Sequence, residues 1–557
     1  MLLPFQCAVL ATAAIAAVAA AAPSARLTDA LEWLYPDSAP ESVTEAMETD
    51  VPANGVAEVN VLVTGLAPGE PLRFSCDVSG AEWFRLRAVP VSRNTGETGM
   101  LEKPGETNPF VTRDAPFDVF DAMEPIQDNS TDTGAGSVAL RLRLRRFPVV
   151  SGPFTVTIRL SQGDAFAADL AFRVNVLPVA VPPVGPDSFK YSNWMDYRKA
   201  FSLHGVGDWT DAHFDMVARY VRLGIYARQN VAFLPGILTP GEDGLPVPDE
   251  ARYARLIALL RSEGIAFLEG PHLARFTGGN WSASTFTPIT GGPPAGTPEG
   301  DAELERLAAA FGAMVASNGW SDIWYQHVAD EPSINNATAY CAAVRIVRRA
   351  MPGVRLLDAI DTTDVADAID APCPKTDGYE KNRAAYASAK AAQPGRETWC
   401  YTCCYPGGRW LNRFLDSPLL NPLLLSWACF LNGIDGYLHW GFNWFDQKWS
   451  PFDAIDPWKL PPGDRALVYP SSDGPWPSAR LEAIRQGLED LELLRLLARR
   501  DPARADAIAR RIVRGFCDYD ADIPAYRAAR RELLEELSGI TSSPLPQSQG
   551  AQGSQHL

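Results

Sequence analysis

Ile323-Trp-Tyr-Gln-His-Val-Ala-Asp330-Glu331-Pro332 is a short apolar run that stops on two adjacent carboxylates and a proline. Asn335 and Asn336 follow, and from Ala337 to Ala350 apolar residues recur at helical spacing. A strand that ends in acids and turns at once into a helix is the βα corner of an α/β barrel. That fold gathers its chemistry at the C-terminal ends of its strands.

The flanking sequence repeats the unit. Strands are predicted at Phe189 to Trp194, Asn230 to Leu234 and Ile265 to Glu269 before this corner. After it they fall at Val354 to Ala359, around Asp377-Gly-Tyr379, at Thr398 to Cys404 and at Gly436 to Phe442. Helical patterns run between them, at Asp211 to Leu223, Asp249 to Glu263, Asp301 to Ser317 and Pro418 to Asn432. A last one, Ser478 to Leu497, sets Leu481, Ile484, Leu488, Leu491 and Leu494 on one face. The series predicts a (β/α)8 TIM-like barrel over residues 187–500. Two further helices are expected over 501–537, packed on the barrel. The tail, 538–557, has no Lys, Arg, Asp or Glu and is expected to be disordered.

Upstream the period changes from helical to two. Val138-Ala-Leu140-Arg-Leu142-Arg-Leu144 and Phe154-Thr-Val156-Thr-Ile158-Arg-Leu160 alternate strictly, and shorter runs lie between Gly, Pro and Asn clusters. This predicts an N-terminal β-sandwich over residues 28–180, with Arg141, Arg143 and Arg145 on a solvated strand face. The proline-rich stretch Leu177 to Pro186 reads as a stiff linker. Leu2 to Ala22 is apolar, alanine-rich and uncharged. It reads as a signal peptide, residues 1–22, with a membrane anchor as the alternative. The protein is therefore expected to be exported: secreted, periplasmic or at the cell surface.

A chain of 557 residues has room for two or three domains. Its net charge of −17 leaves no basic domain to hold phosphates, which argues against a nucleic-acid partner. Nothing in the composition sets an oligomeric state. Cys400, Cys403 and Cys404 are the one cysteine cluster. Residues three apart on a strand point to opposite faces, and no second Cys or His pair is near to complete four ligands. Buried thiols are expected there, with a vicinal disulfide as the minor alternative, and no metal or organic cofactor is implied.

Two carboxylates at a barrel mouth suit glycoside hydrolysis, by inversion, by a covalent intermediate, or with the substrate's own 2-acetamido group as nucleophile. The seventh strand, Thr398-Trp-Cys-Tyr401-Thr-Cys-Cys-Tyr405, carries its only acid, Glu397, at the wrong end for a carboxylate nucleophile. That favours the third route. Glu331 is then the general acid, with its pKa raised by burial and by its neighbour. Asp330 accepts the acetamido N–H and steadies the oxazolinium. The alternative for this pair is a helix cap or a salt bridge. Trp440, Asn443 and Trp444, leaving the eighth strand, are candidates to bind sugar faces and hydroxyls. Tyr401 is a candidate donor to the acetamido carbonyl, and Asn412 and Arg413 follow in the next loop. His327 is either a ligand or a hydrogen-bonded core residue.

The runs His327-Val-Ala-Asp330-Glu331-Pro, Trp399-Cys-Tyr401-Thr-Cys-Cys-Tyr-Pro, Asn412-Arg413-Phe-Leu-Asp416-Ser-Pro-Leu, Gly433-Ile-Asp435-Gly-Tyr-Leu-His-Trp440-Gly-Phe-Asn443-Trp444, Leu467-Val-Tyr-Pro and Arg480 to Asp490 together resemble the catalytic domain of glycoside hydrolase family 123. The resemblance spans residues 190 to 500 or so. It implies a retaining exo-β-N-acetylgalactosaminidase that works by substrate assistance, with the paired acids at Asp330 and Glu331. The expected partner is a carbohydrate, a glycan or oligosaccharide ending in N-acetylhexosamine. Two other readings stay open. One is a glycosidase on other sugars that uses Glu331 with a second carboxylate elsewhere. The other is a non-catalytic carbohydrate-binding protein.

Overall fold

The computed structural model describes residues 22–38, 45–134, 137–164 and 166–541. The expected leader, apart from Ala22, and the tail beyond Thr541 lie outside the described residues. Two five-stranded sheets face each other first. One has the order Ser24–Asp29, Ala57–Thr64, Val138–Leu144, Glu82–Val91, Phe117–Ile126 and is antiparallel throughout. The other runs Ala46–Pro52, Phe166–Leu177, Gly152–Gln162, Leu72–Cys76, Ser130–Thr131. Val59, Val61, Leu140 and Leu142 of the first interleave with Val156, Ile158, Phe172 and Val174 of the second to form the sandwich core.

The arginine ladder is not solvated. Arg141 and Arg143 are 1% and 4% exposed, because the outer face of their sheet packs on the last barrel helix, Ala479–Ala498. Arg143 donates to Glu82 Oε2 and to Glu482 Oε1 of that helix, each at 2.6 Å. Arg141 donates to Asn60 Oδ1 at 2.9 Å and to the Ala30 carbonyl at 2.7 Å. Arg145 alone of the three remains open to water, 45% exposed. Strict alternation signalled two different faces correctly. Both faces are covered, one by apolar side chains and one by ion pairs.

The barrel has eight parallel strands: Lys190–Asn193, Val231–Phe233, Phe267–Gly270, Trp324–Gln326, Arg355–Ile360, Ala371–Pro374, Trp399–Thr402 and Gly436–His439. The first six pair in sequence order, the eighth pairs with both the first and the seventh, and a bridge between Lys375 and Tyr401 draws the sixth to the seventh. The sixth strand lies earlier than its expected place. Asp377, Gly378 and Tyr379 belong instead to the helix Thr376–Ala392. Pro372 and Pro374 weaken the strand signal of the true segment, since proline lacks the N–H that a ladder uses. Glu397 lies at the N-terminal end, where it accepts from Tyr325, Trp399 and Arg355 and closes the barrel floor.

Beyond the barrel come the helices Pro502–Arg510 and Ile523–Thr541. The latter carries residues 538–541, which composition had assigned to the tail. Leu533, Leu534 and Leu537 are buried one and two turns earlier and anchor that helix. Among the described residues no helix is long and apolar enough to cross a membrane.

Candidate active site

The fourth strand ends at Gln326, and the chain then buries His327 and lays Asp330 and Glu331 across the barrel mouth above it. Glu331 takes φ +43°, a left-handed backbone rare outside glycine. The turn sends the adjacent carboxylates to different partners. Glu331 Oε1 accepts the Tyr401 hydroxyl proton and lies 3.2 Å from Lys375 Nζ. Asp330 Oδ1 faces His272 Nε2 at 3.8 Å.

Asp330 keeps 34% of its side chain open to the mouth. The enclosing walls nevertheless hold it away from bulk water, and this desolvation, with the Glu331 charge beside it, pushes its pKa up to about 8. The raised carboxyl thus lies one residue before the position at which the sequence placed it.

Below the acids sits a dry ion cluster. His327 is fully buried and donates from Nδ1 to Asp358 Oδ1 and from Nε2 to Glu269 Oε2, both at 2.9 Å. Burial works against its charge, but the two carboxylates overcome it and raise the His327 pKa to about 9. Asp358 also accepts from the Tyr340 hydroxyl at 2.5 Å and from Val328 N at 3.0 Å, and Glu269 accepts from Trp194 Nε1 at 2.9 Å. Burial and the charge of His327 hold His272 well below the usual imidazole range, so it is neutral. His272, His327 and Asp358 are close enough together to share an ion. Both His327 nitrogens are already committed to carboxylates, however, so the cluster fits a proton rather than a metal.

The other expected site residues divide. Tyr401 reaches the acids, and its hydroxyl also lies 3.2 Å from Asp361 Oδ1. Trp440 is half-buried, 5.6 Å from Trp444 and 6.2 Å from Trp458 between ring centres. Trp444 donates to the Trp194 carbonyl at 3.0 Å.

Asn412, Arg413 and Asn443 do not reach the mouth. Asn412 spends its amide on the carbonyls of Cys403 and Pro406. Arg413 donates to Asn193 Oδ1 at 2.8 Å and to the Gly441 carbonyl. Asn443 accepts from Asp196 N at 2.8 Å and donates to its carbonyl at 3.2 Å. All three are buried struts that set loop geometry. His327 is likewise committed below the acids.

The mouth adds residues that the sequence did not single out: Trp194 stacked on Phe233 at 4.5 Å, His272, Asp361, Lys375 and Trp458. Glu269 and Asp358 had a signal, a carboxylate inside an apolar strand run. Lys375 was hidden by the displaced sixth strand. The eight described cysteines are free thiols, Cys403 and Cys404 included, with their sulfurs 4.0 Å apart.

Residues 292–497 match the family described as glycoside hydrolase 123, catalytic domain. Among solved structures, a family 123 glycoside hydrolase from Clostridium perfringens aligns over 94% of this chain and 100% of its own, with a TM-score of 0.71 at 12% identity. A Bacteroides ovatus GH5 xyloglucanase covers 80% of this chain and 98% of its own at 10% identity. Its TM-score is only 0.31, too low to bear on the fold. Comparison with curated protein sequences finds no match. The matched segment holds Asp330, Glu331, Asp361, Lys375 and Tyr401 of the mouth, while His272 lies before it. Over residues 292–497 this chain is thus similar to the catalytic domain of glycoside hydrolase family 123, and it is a glycosidase acting on a carbohydrate.

Proposed function

We propose that the protein is an exported, retaining exo-β-N-acetylhexosaminidase of the β-N-acetylgalactosaminidase type, with the substrate's 2-acetamido oxygen as nucleophile. The divergence of the two adjacent acids carries this reading. Asp330 faces neutral His272 beside the Trp194–Phe233 stack, an enclosed wall for a sugar ring and its acetamide. Glu331 faces the polar side, towards Tyr401 and Lys375.

The pair has to hold one proton and one negative charge to do this chemistry. In the free site the shift favours the proton on Asp330. An acetamido N–H that donates to Asp330 stabilises its charged form and sends the proton to Glu331, where the leaving oxygen needs it. Asp330 then aims the acetamide at the anomeric carbon. Enclosure of that internal nucleophile provides a high effective molarity, lowering the barrier by ~7–11 kcal/mol in favourable cases.

Asp361 is the second carboxylate that a double-displacement glycosidase would require. It shares Lys375 and the Tyr401 hydroxyl with Glu331. A sugar ring does not fit between two groups bridged by one hydroxyl and one ammonium, so substrate assistance is preferred. Chromogenic α- and β-glycosides, both N-acetylhexosamines included, test the specificity. Release only from sugars without the acetamido group overturns it. A thiazoline mimic of the oxazoline is expected to inhibit strongly, the first product to be β, and a mechanism-based fluorosugar to leave the protein unlabelled. A sugar trapped on Asp361 would establish the covalent route instead.

A further inference from the structure

Beyond the Lys375–Asp361 pair a cavity of about 380 Å³ opens, lined by Asp361, Thr362, Lys375, Asp377, Tyr405 and Thr98. Thr98 belongs to the sandwich, on the long connection between Glu82–Val91 and Phe117–Ile126. A glycosidase's proton donor addresses the leaving oxygen. With the roles proposed above, the compartment on the Glu331 side is therefore where the departing group lies.

We propose that this cavity is the leaving-group subsite, that it takes a sugar residue, and that the N-terminal sandwich builds one of its walls. The volume falls in the range of small-ligand pockets. The lining of hydroxyl, carboxylate and ammonium groups matches the donors and acceptors of a saccharide rather than a hydrocarbon. Tyr405, 40% exposed, offers a ring for the apolar face of a pyranose.

The wall is fixed to the barrel through its backbone. Gly407 N donates to the Thr98 carbonyl at 3.0 Å, and Met100 N donates to the Cys404 carbonyl at 2.9 Å. Gly99 lies so close that a Cβ there would sit 2.3 Å from the Tyr405 ring. Asp416 holds the base of the same loop, accepting from Thr95 N at 2.6 Å and Thr95 Oγ1 at 3.0 Å. The sandwich thereby shapes the place where the aglycone is recognised.

The test compares two substrates with the same terminal sugar. One is the p-nitrophenyl N-acetyl-β-galactosaminide; the other is that sugar β-linked to galactose. Thr98→Trp fills the cavity from an exposed sandwich position, and Tyr405→Ala removes the ring. Each is expected to lower kcat/KM for the disaccharide by about tenfold or more, chiefly through KM, while the aryl glycoside changes by less than about twofold. Equal change on both substrates, or no change on either, in both variants overturns the subsite. A parent chain that releases no phenol overturns the hexosaminidase reading instead, so the two failures are told apart.

Discussion

Asp330 and Glu331 are neighbours in sequence with separate surroundings, and their variants are expected to separate too. Glu331→Gln loses most on substrates with poor leaving groups, because an activated phenol needs little protonation. Asp330→Asn loses on every leaving group, since it weakens formation of the oxazolinium itself. A series of aryl glycosides with graded phenol acidity measures both, and parallel losses would contradict the assigned roles. The raised Asp330 carboxyl also predicts the alkaline side of the pH profile. In the free enzyme kcat/KM should fall as pH rises through about 8, as the pair loses its shared proton.

His327 gives the opposite kind of prediction, one about stability. Its folded pKa is about 9 against an ordinary value near 6.5. The stabilisation from charging it is therefore complete below about pH 6.5 and is lost as pH rises through about 9. His327→Leu leaves Glu269 and Asp358 buried without their cation, which costs on the order of 3–5 kcal/mol. Denaturant titrations of parent and variant at pH 6 and pH 9.5 should show a gap that narrows at the higher pH.

The seventh strand shows what an element contributes and how far its sequence discloses it. Tyr401 holds Glu331 by a hydroxyl that accompanies a charge. Tyr401→Phe is expected to lower kcat by about 10- to 100-fold with little change in fold, because a hydrogen bond to a charged group is worth roughly 1.5–3 kcal/mol. Thermal unfolding and steady-state kinetics on the same variant check both halves of the expectation.

The strand's apolar run, its tyrosine and the absence of a C-terminal acid were all legible, because they depend on local pattern. The tasks of Asn412, Arg413 and Asn443 were not. An amide or guanidinium in a loop after a barrel strand reads the same whether it meets a sugar or a carbonyl. Only the fold shows that Cys403, Pro406, Gly441 and Asp196 take up these groups. The sixth strand failed for another local reason, its two prolines. That failure hid Lys375, the group that links Glu331 to Asp361.

At the scale of the whole molecule, the family motifs late in the chain hold the two domains together. Arg480 donates to Asp121 Oδ2 of the sandwich at 2.9 Å, and the Tyr469 hydroxyl donates to the same oxygen at 2.6 Å. Arg485 spans Glu482 and Glu489 on its own helix and reaches Glu58 of the sandwich at 3.1 Å. Asp490 takes Arg530 at 2.8 Å, fastening the last helix. A fragment of residues 187–541 would strand Arg480 and Arg485 without their sandwich carboxylates. It is expected to aggregate or to melt well below the full chain, whereas the full chain should unfold in one transition by calorimetry. A sandwich and barrel that melt independently would show the joint to be weak.

Arg143, held by Glu482, has a consequence for the medium in which the protein works. Dissolved ions screen charges that face water and barely reach charges shielded from it. Arg143 and Glu482 are 5% and 2% exposed along their side chains, and Arg480 and Asp121 are 1% and 0%. The joint between sandwich and barrel should therefore be nearly indifferent to salinity. Raising sodium chloride from about 0.05 to 0.5 M shortens the screening length from roughly 14 to 4 Å, yet it is expected to leave the unfolding midpoint almost where it was. The Thr98 wall, held by backbone hydrogen bonds and by the buried carboxylate of Asp416, would then stay in place in brine as in fresh water.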